Sequence, residues 1–151
     1  MKPVRAAFLI LVTALAVYAQ PETDLIGSWK MDASRSRFSG PRGAPHDVVI
    51  KFERSDGMLR ETIKVVNAAG ESMRTINYSF DGAETVNGAG EERVKAKLIR
   101  NADAMVLEWT DVGGTFTRTL KISNDRRILS IKAHDAAGGN QTDDLIVLKR
   151  Q

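Results

Sequence analysis

A regular succession of short strand-like segments and tight turns, running from Leu25 to the C-terminus, constrains the fold of this chain more than any other feature. Turn sequences such as Ser55-Asp56-Gly57 and Gly113-Gly114 separate the segments. Most connections are short, and short connections join only antiparallel neighbours, because parallel strands need a crossover of roughly a dozen residues or more. The chain is therefore predicted to form an antiparallel meander.

Nine or ten strands are predicted, depending on whether the shortest segment is counted. The segments are Leu25–Met31, Asp47–Arg54, Met58–Val66, Ser72–Phe80, Ala83–Val86, Arg93–Arg100, Ala104–Asp111, Thr115–Ser123, Arg127–His134 and Thr142–Arg150. The one longer connection, from Asp32 to His46, is rich in glycine and proline and is predicted to be a loop with one helical turn at Ala33–Arg37.

Residues within a strand alternate between an apolar and a polar side. In the second segment Val48, Ile50 and Phe52 share one side, while Lys51 and Glu53 lie opposite. A meander with one dry face must also hide its two edge strands, and closure into a barrel removes them. The predicted fold is all-β, a single antiparallel meander barrel of about eight to ten strands.

The first residues have the organisation of an export signal. A basic start, Met1–Arg5, precedes the apolar run Ala6–Val17, and small residues at Val17 and Ala19 predict cleavage before Gln20. Residues 1–19 are thus interpreted as a signal peptide, and residues 20–151 as the barrel domain. We expect a secreted or periplasmic protein whose mature chain has no membrane span.

Charge and cysteine content exclude several classes of function. The formal net charge is +3, but Lys2 and Arg5 lie in the leader, so the mature chain carries about +1. This near balance does not favour nucleic acid as a partner. The chain has no cysteine, which excludes disulfides and cysteine-ligated metal clusters. We expect a monomer without a cofactor.

The first strand contains Gly27-Ser28-Trp29-Lys30, which resembles the G-x-W signature of lipocalins and fatty-acid-binding proteins. More of the chain resembles small secreted bacterial proteins described as lipocalin-like (calycin), a family whose function is not established. The further matching segments are Ser34–Phe38, Phe80–Gly82 and Val147–Gln151. The resemblance implies a lipocalin-like barrel and transfers no activity.

The same resemblance implies a contact that closes the barrel. Trp29 is expected to point inward at one end, with Lys149 or, as the favoured candidate, Arg150 across its ring. Cation–π attraction would then join the two ends of the chain. Fatty-acid-binding proteins carry a helix–turn–helix lid after the first strand, which the loop from Asp32 to His46 cannot supply.

Catalytic constellations are scarce in this sequence. The two histidines, His46 and His134, each precede an aspartate, but adjacent strand residues point to opposite faces and form no relay. His134 is predicted to be a solvated residue at a strand end rather than a metal ligand. No catalytic residue and no metal site is assigned, and an enzyme is disfavoured without being excluded.

Three charged residues interrupt otherwise apolar faces: Glu61, Arg74 and Arg118. As ligand-binding residues they would orient a molecule inside the barrel, with Tyr78 and Trp109 nearby and Arg118 as the anchor for a carboxylate. As structural residues, Glu61 would pair with Arg118 or Arg74 in an internal polar layer. A third interpretation places the charges at a rim, where they reach water. Trp109 is expected to be part of the core more readily than a ligand platform.

Three hypotheses about function follow. The leading one is an exported, non-enzymatic lipocalin-like barrel that binds a small apolar or amphipathic ligand, such as a hydrophobic molecule or a carboxylate. The alternative is an interaction or inhibitor protein of the cell envelope, with a filled barrel and a contact surface in the loop from Asp32 to His46. The third is an enzyme on the same fold.

Overall fold

In the part of the chain that the structure describes, the protein is an all-β barrel with one short helix before the first strand. The computed structural model describes residues 21–41, 43–137 and 139–151, so the predicted signal peptide, residues 1–19, lies outside the described residues. The elements are α1 Pro21–Leu25, β1 Gly27–Met31, β2 Asp47–Ser55, β3 Met58–Asn67, β4 Gly70–Ser79, β5 Thr85–Asn87, β6 Val94–Arg100, β7 Met105–Asp111, β8 Gly114–Ile122, β9 Ile128–Ala137 and β10 Asn140–Arg150, with a 3-10 turn at Gly90–Glu92.

All ten strands belong to one antiparallel sheet, whose order is β4-β3-β2-β1-β10-β9-β8-β7-β6-β5. The predicted meander is confirmed, because every pair of sequential strands except β4 and β5 is hydrogen-bonded. The pairing of β1 with β10 joins distant parts of the chain, and β4 and β5 are the two edge strands. The long strand β9 continues past His134, and β4 begins two residues before Ser72. No helix in the described part of the chain is long and apolar enough to cross a membrane.

The barrel is nearly closed, and side chains bridge the seam between the two edge strands. Asn87 on β5 accepts a hydrogen bond from the Asn77 backbone N–H at 2.8 Å and donates one to the Asn77 carbonyl at 3.0 Å. The Thr85 hydroxyl donates to the same carbonyl at 2.6 Å. Polar side chains thus satisfy backbone groups that a complete ladder would have paired.

The interior is filled by the apolar side of each strand. Ten of the largest fully buried side chains lie inside the wall: Trp29, Tyr78, Phe52, Ile50, Leu59, Ile76, Leu98, Leu107, Leu129 and Ile131. We call the end where β1 begins and β10 ends the α1 end, and the opposite end the far end.

The α1 end is closed around Trp29, which is fully buried. Its indole N–H donates to the Leu25 carbonyl at 2.8 Å, and the Arg150 guanidinium carbon lies 4.3 Å from its ring centroid. Arg150 also donates to the carbonyls of Ile26 and Arg126, both at 2.9 Å. The expected contact is therefore made by Arg150, while Lys149 forms a salt bridge with Asp32 at 2.9 Å.

One boundary at this end differs from the prediction. Leu25 was expected to begin the first strand, but it ends α1, and the strand starts at Gly27. Gly27 has φ 136°, and a Cβ there would lie 2.8 Å from Nη1 of Arg150. The glycine is thus required both by the backbone and by the guanidinium that passes over it.

The segment between β1 and β2 runs along β10, and we call its residues 32–40 the strap. The backbone N–H groups of Arg35 and Ser36 donate to the Asp32 carbonyl, which makes the single predicted turn. Arg37 then forms an isolated antiparallel bridge with Leu145. Hydrogen bonds from Lys149 and Ser34 lower the pKa of Asp32 to about 2, so its carboxylate stays charged and holds the start of the strap.

Candidate functional site

A polar cluster interrupts the apolar interior between β3, β4, β7 and β8. Alternate residues on these strands face inward, and this alternation brings Glu61, Tyr78, Trp109 and Arg118 to the same part of the barrel. Four of the five residues predicted as ligand-binding are therefore neighbours. Arg74, the fifth, lies on the same face of β4 nearer the far end.

Glu61 is the centre of the cluster and is fully buried. One carboxylate oxygen accepts a hydrogen bond from Nη1 of Arg118 at 3.0 Å, and the other accepts one from the Tyr78 hydroxyl at 2.9 Å. Burial and the adjacent Glu61 charge raise the pKa of Tyr78 well above its usual value, so the phenol remains a donor. This is the internal pairing that the sequence analysis gave as the structural interpretation.

Trp109 covers the guanidinium of Arg118 from one side. The Arg118 guanidinium carbon lies 4.5 Å from the Trp109 ring centroid, which is a cation–π distance. Trp109 also stacks on Phe116, its cross-strand partner, with ring centroids 5.3 Å apart and planes 11° apart. The cluster thus has one aromatic wall, formed by side chains of β7 and β8.

Two donors of this cluster have no acceptor among the described residues. They are Nε1 of Trp109 and Nε of Arg118, and both atoms are buried. An unpaired buried N–H typically costs about 1–3 kcal/mol, so such groups are rare unless something else satisfies them. The two orphan donors belong to side chains in contact with each other, which places the unmet hydrogen bonds in one small region.

Of the three interpretations offered for Arg74, the structure supports the one that places it at the rim, and it is wrong that Arg74 points into the closed interior. Its side chain is 46% exposed and pairs with Asp111, which is 12% exposed, at 3.0 Å. The reason is that residues 70–75 of β4 are all exposed, so the inner face of this strand reaches water at the far end. Asp111 was missed by the sequence analysis, although it lies two residues after Trp109 and so shares its inward face.

Two clefts lie elsewhere on the surface. One, of about 350 Å³, lies at the α1 end and is lined by Leu25, Met105 and Leu120 under a rim that includes the Asp24–Arg126 ion pair. The other, of about 370 Å³, contains His134 and Lys132. Neither cleft is lined by the polar cluster.

The histidines take part in no arrangement that resembles a catalytic site. His134 contacts Asp143 on the neighbouring strand at 2.8 Å, and it does so on the exposed outer wall. His46 is also exposed. Within residues 21–41, 43–137 and 139–151, no group of three histidine, aspartate or glutamate side chains is placed to hold a metal ion.

Solved structures share this architecture. A secretary abundant heat soluble protein from Ramazzottius varieornatus superposes with a TM-score of 0.63 at 12% identity, over 85% of this chain and 96% of that one. Echinococcus granulosus fatty-acid-binding protein 1 gives 0.54 at 9% identity, over 85% and 98% of the chains. Zebrafish ileal bile acid-binding protein, in complex with cholic acid, gives 0.52 at 11% identity, over 85% and 99%.

At these identities the likeness establishes the fold alone, a lipocalin and fatty-acid-binding type of barrel. No protein-family model and no curated protein sequence matches the chain.

Proposed function

We propose that the protein is an exported, non-enzymatic barrel that binds a small apolar or amphipathic molecule at its far end. The observation that carries this proposal is the pair of buried, unpartnered donors on Trp109 and Arg118. A bound molecule with a hydrogen-bond acceptor would remove their cost. Support also comes from the solved structures, since two of those barrels are named for the fatty acid or bile acid that they bind.

The far end offers a route to these donors. Arg74 is half exposed at the rim and faces water as well as Asp111. At this end Val65, which pairs with Ser72, and Phe116 are only partly buried and pack against the core. Phe116 also stacks on Trp109, so the two side chains supply an apolar surface that leads to the cluster. A ligand entering here would lay its apolar part against these side chains and direct its polar group at the cluster. Entry requires the rim side chains to move, because the donors are covered in this state.

Titration with Nile red, a neutral dye whose emission rises in apolar surroundings, tests this proposal. The wild-type protein is expected to give a saturable signal with one site per chain. Val65→Trp places an indole on the inner face in the ligand's path and should weaken binding by about tenfold, or about 1.4 kcal/mol. Lys64→Trp adds the same indole to the outer face, where Lys64 is 44% exposed, and should not change the affinity.

Two results would contradict binding at the far end. One is a wild-type protein that gives no saturable signal, which would favour an interaction role for the strap and its loop. The other is an equal loss of affinity in both tryptophan variants, because a ligand held inside the barrel must distinguish the two faces of β3.

Export is the second part of the proposal. It rests on the basic start, the apolar run and the small residues before Gln20. Mass spectrometry of the protein recovered from the periplasm or medium of an expressing bacterium should give a chain that begins at Gln20. Ala19→Arg should block processing, because the cleavage site requires a small residue there. Protein that is recovered from the periplasm or medium and still retains Met1 would contradict the assignment.

A further inference from the structure

The charges of the candidate site are already balanced before any ligand binds. Glu61 and Arg118 neutralise each other at 3.0 Å, and Arg74 and Asp111 do the same at the rim. Tyr78 adds no charge, because its raised pKa keeps the phenol protonated. The site therefore holds no cation in excess.

The hydrogen bonds that remain open are both donors. Nη1 of Arg118 is occupied by Glu61, whereas Nε of Arg118 and Nε1 of Trp109 have no acceptor among the described residues. A carboxylate could accept from them, but it would add a net negative charge close to the fully buried Glu61. Like charges at close range in a buried site oppose binding strongly. A carbonyl oxygen accepts the same hydrogen bonds without that penalty.

We propose that the polar group of the ligand is a neutral hydrogen-bond acceptor, such as a ketone, ester or amide carbonyl, and that Glu61 excludes carboxylates. This inference rests on the proposed function, and it departs from the sequence-based expectation that Arg118 anchors a carboxylate. Glu61 neutralises the guanidinium charge that would otherwise attract a ligand carboxylate. It acts as a built-in counter-ion that sets specificity.

Displacement of Nile red by two isosteric lipids tests the inference. Methyl undecyl ketone and dodecanoic acid have the same chain and differ only in a methyl group for the acid hydroxyl. At neutral pH the ketone should displace the dye from wild-type protein at a concentration about tenfold lower than the acid, or more. An acid that competes as well as the ketone, or better, overturns the inference and leaves ligand binding intact. Displacement by neither lipid contradicts both proposals.

Removing the Glu61 charge should abolish the preference for the ketone. Glu61→Gln keeps the shape of the side chain and an acceptor for Arg118. It removes the negative charge, so the guanidinium can pair with a ligand carboxylate. The ratio of acid to ketone affinity should therefore rise by about tenfold or more. Glu53→Gln makes the same chemical change on the outer wall, where Glu53 pairs with Lys51, and serves as the matched control. An unchanged ratio in folded Glu61→Gln, verified by its thermal transition, would refute the specificity role of Glu61.

Discussion

Replacing Trp29 with alanine is expected to lower the free energy of unfolding by about 3–5 kcal/mol, the range for emptying a buried aromatic site. Trp29 is fully buried and is held on two sides, by the Leu25 carbonyl and by the Arg150 guanidinium. Alanine would leave a cavity at the point where the first and last strands meet. Chemical denaturation followed by circular dichroism measures the loss.

Two further variants show whether the loss comes from this site. Arg150→Met keeps the stem of the side chain but removes the cation–π contact and the hydrogen bonds to Ile26 and Arg126, so it should destabilise the barrel by less than Trp29→Ala. Met73→Ala truncates an apolar side chain that is 71% exposed and should change stability by no more than about 0.5 kcal/mol. A Trp29→Ala protein as stable as Met73→Ala would disprove the closing role of Trp29.

The strand order could be predicted because the information for it is local. Each hairpin is encoded by its own turn residues and by alternation over about ten positions, so no knowledge of distant contacts is needed. A turn such as Asp56-Gly57 determines where one strand of a hairpin ends and the next begins. Asp56 and Gly57 both have the positive φ that such turns require. Closure into a barrel could be predicted because a sheet with one apolar face would otherwise expose two unpaired edge strands.

The arrangement of the site was harder to predict because it depends on which strands meet across the barrel. Alternation predicted that Glu61 and Arg118 point inward, but it left both Arg118, 57 positions away, and Arg74 open as the partner of Glu61. Arg74 obeys the same alternation and still reaches water, since the first residues of β4 extend past the filled part of the interior. Its partner Asp111 lies on a strand that is not adjacent to β4 in the sheet. Pairs of this kind are set by the curvature of the closed sheet.

Breaking the Glu61–Arg118 pair from one side is expected to cost about 3–5 kcal/mol, because the remaining partner is a buried and uncompensated charge. Glu61→Leu leaves the Arg118 guanidinium without its anion and the Tyr78 hydroxyl without its acceptor. Arg118→Met leaves the fully buried Glu61 carboxyl group without its cation. Denaturant titrations of the two variants measure these losses, and values below about 1 kcal/mol would place the pair in contact with water.

The variant that removes all three polar groups separates stability from function. Glu61→Leu, Arg118→Met and Tyr78→Phe together replace the cluster by apolar side chains of similar size, and such replacements are often neutral or stabilising by about 1–4 kcal/mol. We expect this protein to regain the stability lost by either single variant and to bind the ketone at least tenfold more weakly than wild type, since the donor on Arg118 is gone. A triple variant as unstable as Glu61→Leu would instead make the cluster a structural requirement of the barrel. If the triple variant regains stability but loses binding, the Glu61–Arg118 pair stabilises the barrel less than apolar side chains would. The role of the pair would then be to bind a ligand.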